Sequence, residues 1–157
     1  MTAGLERLAY EGTDGDLTFD LETETIQQFL RMDSDYWLGG SGSAYIGTIR
    51  EMNPGYSILW DRPCLHIIVH MPYGVSLMLQ NGNDTCIAMD SSAPDDQLIL
   101  HYLGGEPSAL PRQGFIPMES AEVVIADFLE SQSRSTSVEW RKRASATYDG
   151  YCTANGD

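Results

Sequence analysis

Positive charge is scarce in this sequence. Nine Lys and Arg stand against 23 Asp and Glu, a formal net charge of −14 over 157 residues. Proteins that neutralise phosphates do it with Lys and Arg, so direct binding of nucleic acid or of an anionic membrane surface is excluded as a leading role. The deficit is uneven. Residues 63–111 contain no Lys or Arg, yet they hold Asp84, Asp90, Asp95, Asp96 and Glu106. Cysteine is sparse too: Cys64, Cys86 and Cys152 form an odd set, unlike a secreted disulfide framework. Apolar runs are short. The longest, such as Val123-Val124-Ile125-Ala126, fall far below the roughly 20 residues of a membrane span. Met1 to Gly12 has no basic start followed by an apolar stretch, so no secretory signal is read. The expectation is an acidic cytoplasmic protein, residues 1–157 forming one domain. A chain of this length buries roughly 70% of its unfolded surface and needs no disulfide or metal to fold.

Catalytic motifs are equally thin. The histidines are His66, His70 and His101, all within predicted strands, and no G-x-S-x-G turn is present. A nucleobase deaminase would need H-x-E and P-C-x-x-C. Pro63-Cys64 supplies two letters, but Ile67 stands where the second Cys belongs, and no His is followed two residues later by Glu. Phosphate-loop, dinucleotide and calcium-loop patterns are missing as well, so no cofactor is implied. One metal reading survives as an alternative. On a strand over 64–70, Cys64, His66, Ile68 and His70 share a face, and Cys86 nearby could complete a zinc set. The same alternation describes a half-buried strand with Leu65, Ile67 and Val69 on its other face, and packing is the favoured reading.

The pattern along the chain predicts an α+β fold: a mostly antiparallel sheet of about six to eight strands, with one or two helices packed on it. Residues 1–16 read as a loose acidic entry with a short strand near Leu8-Ala9-Tyr10. A helix is expected over about Leu21–Met32, where Ile26, Phe29 and Leu30 share a face and Asp20 or Thr23 can cap it. Asp33-Ser34-Asp35 weakens it, and Gly39-Gly40-Ser41-Gly42-Ser43 makes a flexible turn. Strands follow at 44–50, 56–60, 64–70, 75–80, 85–90 and 98–102. The turns between them, Asn53-Pro54-Gly55 and Asn81-Gly82-Asn83-Asp84 among them, suit an antiparallel meander. Ala121, Val124, Ile125, Phe128 and Leu129 predict a helix over Glu119–Ser131, with Pro117 at its entry. Ser137-Val138-Glu139-Trp140 reads as a last strand. Arg141-Lys142-Arg143 is a solvated strand end or a contact patch, and beyond it the tail is polar.

Leu110-Pro111, Ile116-Pro117, the helix from Ser120-Ala121-Glu122 to Asp127-Phe128-Leu129, and Val138-Glu139-Trp140 together resemble a bacterial immunity-protein family. Gly104-Gly105 fits the glycine pair upstream, so the resemblance spans about residues 98–141. It departs in Ser133-Arg134-Ser135-Thr136, which lacks the expected Gly and Pro. Members of that family neutralise toxins of polymorphic toxin systems, nucleic-acid deaminases among them. The resemblance therefore implies a non-enzymatic inhibitor whose partner is a toxin with a basic surface. A small-ligand or protein-binding α+β module and, further off, a zinc-dependent enzyme are the alternatives. If a basic cleft is the target, loop carboxylates should meet it, so Asp84, Asp95, Asp96 and Glu106 are the expected contacts. Asp61 is a possible neighbour, and Trp60 a possible aromatic anchor.

Overall fold

The computed structural model describes residues 4–52 and 54–142, so Cys152, Arg143, Asn53 and the polar tail lie outside the described residues. Strands β1 (Glu6–Glu11) and β2 (Leu17–Thr18) open the fold, followed by helices α1 (Thr23–Leu30) and α2 (Ser34–Leu38). Next come β3 (Ala44–Glu51), β4 (Tyr56–Ile58), β5 (Cys64–His70), β6 (Gly74–Asn81), β7 (Asp84–Met89), β8 (Leu98–Leu103) and β9 (Glu106–Pro111). Helix α3 (Met118–Ser131) and β10 (Glu139–Lys142) complete the order. Eight strands form one sheet in the order β10-β7-β6-β5-β3-β1-β2, with β4 on β3, and β8-β9 make a separate hairpin. Every strand pair is antiparallel, so the α+β expectation holds.

Side-chain alternation explains the two faces. Tyr10, Ile46, Leu65 and Leu79 are linked by register across four strands and enter one core. That face carries α1 and α3, whose Ile26, Leu30, Val124, Ile125 and Phe128 complete the same cluster. The helical stripe read from the sequence is thus the buried one, with Leu129 packed at its margin. The outer face presents Tyr45, His66, Ile68, Met78 and Ile87, by the same registers. Hairpin β8-β9 packs over part of it: Ile99, Leu110 and Phe115 bury against Ile68 in a second cluster. A two-stranded hairpin is marginal alone, and each such buried side chain contributes about 1.5–3 kcal/mol. Gly42, just before β3, allows the close seat. A Cβ there would fall 2.0 Å from the Tyr102 carbonyl oxygen, and its φ of +74° suits glycine.

Several boundaries differ from expectation, each for a physical reason. The N-terminal segment is not a loose entry from residue 6 onward, because all six residues of β1 pair with β3. Helix α1 starts after Glu22, which makes no side-chain cap, rather than after Asp20 or Thr23. Asp33 does more than weaken a helix. It starts α2 by accepting the Tyr36 N–H at 3.2 Å, in an element too short to show periodicity. The strand expected at 137–140 is shifted to Glu139–Lys142, which pairs with β7. The meander stops at β7, since β8 leaves the sheet. Its partner β9 lies outside the expected strands and carries Pro107 and Pro111, which an edge position in a two-stranded sheet tolerates.

Candidate functional site

The outer side of the sheet is where polar and aromatic side chains gather. At one place Trp60, following β4, stacks over His66 with ring centroids 6.3 Å apart and 13° between planes. Tyr45 closes the group 5.7 Å from Trp60 and hydrogen-bonds through its hydroxyl to Glu11. Burial, with the Glu11 carboxylate beside it, pushes the Tyr45 phenol above its ordinary range. Trp60 nonetheless remains 48% exposed, an aromatic surface held in place by its neighbours and open on one side.

Below the hairpin, His70 and His101 face each other through their Nδ1 atoms at 2.9 Å. His101 is fully buried, and its Nε2 lies 2.7 Å from the Gly42 carbonyl oxygen. A carbonyl only accepts, so Nε2 carries the proton, Nδ1 of His101 is the acceptor, and His70 donates through Nδ1–H. Burial pushes both histidines below their ordinary range, and for His101 the neighbouring His70 adds to it while the Gly42 bond opposes it. These neutral rings fasten the hairpin to β5 and to the segment entering β3.

Where β7 and β10 meet the base of the hairpin there is an open cleft of about 440 Å³, lined by Asp95, Asp96, Leu98, Ile87, Pro111 and Arg141. Asp95 and Asp96 therefore come together, with Arg141 across from them. Trp60 and Asp61 sit in the β4–β5 connection, at the start of β5. Glu106 lies at the far tip of the hairpin, paired with Leu103. Asp84 and Glu106 are not loop residues as expected. Each opens a strand, because the turns before them are only two residues, Gly82-Asn83 and Gly104-Gly105. Asp84 also points away from the rest. It shares a face with Cys86, the register partner of inward Leu79, and the Cys86 Sγ lies 3.8 Å from an Asp84 carboxylate oxygen and 3.3 Å from Arg134. The six expected contact residues thus fall at separate places, with Asp84 on the helix-bearing face.

The zinc alternative does not assemble. His66 Nε2 is engaged with Gln80 Oε1 at 3.3 Å, His70 with His101, and Cys86 lies on the opposite face. Burial, and secondarily the Glu11 charge, push the Cys64 thiol up to about 12. Among the described residues no three His, Cys, Asp or Glu side chains gather into a possible metal site. Of the hairpin, sequence reasoning named only Glu106 as a contact and did not single out Leu98, Leu100 and Tyr102. The run Leu98–Leu103 is apolar at every position but His101, so its alternation of exposed and buried side chains emerges only in the structure.

The free side of the antiparallel scaffold thus carries the aromatic cluster and the exposed apolar residues of the hairpin. The chain matches the family described as Immunity protein Imm1 over residues 17–142 and belongs to it. That family is one of toxin-inhibiting immunity proteins and suggests a non-enzymatic inhibitor with a toxin partner. No curated protein matches the chain. Among the described residues, no helix is long and apolar enough to cross a membrane.

Proposed function

We propose that the protein acts in the cytoplasm, binding a cognate toxin of a polymorphic toxin system and covering the toxin's basic substrate site. The toxin would be a nucleic-acid deaminase or nuclease, since such enzymes hold their substrates in cationic clefts. The observation that carries the reading, beyond family membership, is the 49-residue span 63–111 without a single Lys or Arg. This span contributes β5 to β9, and with it much of the outer side. Asp95, Asp96 and Glu106 would meet the toxin together with Asp61, and Trp60 would anchor a desolvated pocket. Asp84, on the other face, would contribute only to the long-range field. Such carboxylates mainly raise the association rate, and salt screens them over about 8 Å at physiological strength.

The test neutralises Asp95, Asp96 and Glu106 together and follows association with the toxin encoded beside this gene at low and high salt. The expected result is slower association at low salt and a shallower salt dependence. Association at the wild-type rate with the wild-type salt slope would remove these carboxylates from the interface. Co-expression should restore growth and yield a complex that co-purifies; rescue without binding would remove direct inhibition.

A further inference from the structure

The hairpin β8-β9 buries only one of its faces. Ile99, His101 and Leu110 turn inward, while Leu98, Leu100 and Tyr102 stand 52%, 55% and 44% exposed at every second position. The register sets Pro111, Ala109 and Pro107 opposite them, so both strands of the outward face are apolar. Single exposed apolar residues are ordinary, but a contiguous stripe in a water-facing sheet marks an interaction surface. At about 3.4 Å per residue the stripe is roughly 14 Å long.

Its charged end decides what covers it. Asp95 and Asp96 precede Leu98 there, whereas Glu106, beyond the turn, pairs with Leu103 and shares the inward face. Arg112, just past Pro111, is already engaged: its guanidinium lies 5.3 Å from the Tyr73 ring centroid and its Nη1 donates to the Phe115 carbonyl at 3.2 Å. A second copy of this chain fits badly. It would bring the same carboxylates, and a further net charge of −14, against these. Arg141 shares the cleft with Asp95 and Asp96, but one cation leaves that end net negative, so charge complementarity selects a cationic partner.

We infer that the outward face of the β8-β9 hairpin, with Leu98, Leu100 and Tyr102 at its centre, is the docking surface for a protein carrying an apolar patch edged by Lys or Arg. Asp95 and Asp96 take the ionic contacts at the end where the stripe begins. The inference rests on the toxin-binding reading and deepens it, by assigning the lifetime of the complex to three apolar side chains rather than to carboxylates. Truncation of a desolvated central side chain acts mostly on dissociation.

The probe is a catalytically inactive form of the toxin encoded beside this gene, titrated with the full chain. Leu100→Ser and Tyr102→Ala should each weaken binding roughly 10- to 100-fold, mainly through faster dissociation. Both side chains face water in the free protein, so the thermal midpoint should stay near wild type. Val123→Ser, an equally exposed apolar position on α3, is the control and should bind as wild type does. In the unsubstituted complex, amide exchange over residues 98–111 should slow. Hairpin variants that bind within about twofold of wild type, or protection confined to other segments, overturn the inference while leaving toxin binding intact. A wild-type chain that neither binds nor protects overturns the toxin reading, and the inference with it.

Discussion

His101→Phe tests how the hairpin is held. The substitution keeps an aromatic ring of similar size in a fully buried position, so little cavity opens. It strands two polar groups: the Gly42 carbonyl, 2.7 Å from Nε2, and the His70 Nδ1–H, 2.9 Å from Nδ1. A buried group left without a partner costs about 1–3 kcal/mol. His70 is only half-buried and can turn to water, so it belongs at the low end, near 1, and Gly42 nearer 2. The expected loss is about 3 kcal/mol in urea unfolding at pH 7.5. The same residue makes stability depend on pH. Both histidines are held below their ordinary range, so under mildly acidic conditions the unfolded chain binds protons that the folded chain refuses. Their contribution is complete above the unfolded value near 6.5 and is lost as pH falls from there through the folded values. For His101 the slope in that window is at most about 1.4 kcal/mol per pH unit, and it is smaller for solvent-screened His70. His101→Phe should flatten the wild-type decline between pH 7 and 5. Equal midpoints at pH 7.5, or the same slope in both proteins, would refute the proton assignment and the fastening role.

Phe128→Ala should cost about 3–5 kcal/mol in chemical denaturation, because the ring is buried where α3 meets the sheet. Trp140→Ala should cost less than Phe128→Ala. Its ring is only partly buried on the core, and what it adds is an indole N–H donated to the Ser135 carbonyl at 2.8 Å. Cys64, with its thiol pushed up to about 12, should resist alkylation at pH 8 in the folded protein and react on unfolding. Peptide mass spectrometry reads that directly, and ready labelling of native Cys64 would contradict its burial.

The long periodic elements were legible because one physical rule governs each. Helix α3 shows a 3.6-residue stripe with proline at its entry, and β5, β6 and β7 show apolar runs between turns. What escaped was set by tertiary contact. Residues 98–102 read correctly as a strand, but nothing local says whether a strand joins the main sheet or crosses its face. That choice depends on Ile68, Phe115 and the His70–His101 pair, which are distant in sequence. Asp84 escaped for a similar reason. A carboxylate in a turn looks outward, but the short Gly82-Asn83 turn made it the first residue of β7, and strand alternation then aimed it at the helix side. The aromatic site was half visible, with Trp60 expected as a possible aromatic anchor. Tyr45 and His66 beneath it follow only from the pairing of β3 with β5.

The acidity and the apolar stripe make sense together. A two-stranded sheet with exposed backbone edges and a row of Leu98, Leu100 and Tyr102 on its surface is a template for self-association. Ordinary remedies would place lysines along the strand. Residues 63–111 have none, and the carboxylates of Asp95 and Asp96 beside the stripe serve instead. Negative charge keeps copies of this chain apart as well as positive charge would, because repulsion depends on like sign and not on which sign. Only the negative choice would also attract a toxin with a basic surface. On the proposed reading, the same Asp95 and Asp96 that discourage the wrong contact would speed the right one, leaving the apolar face to determine how long it lasts.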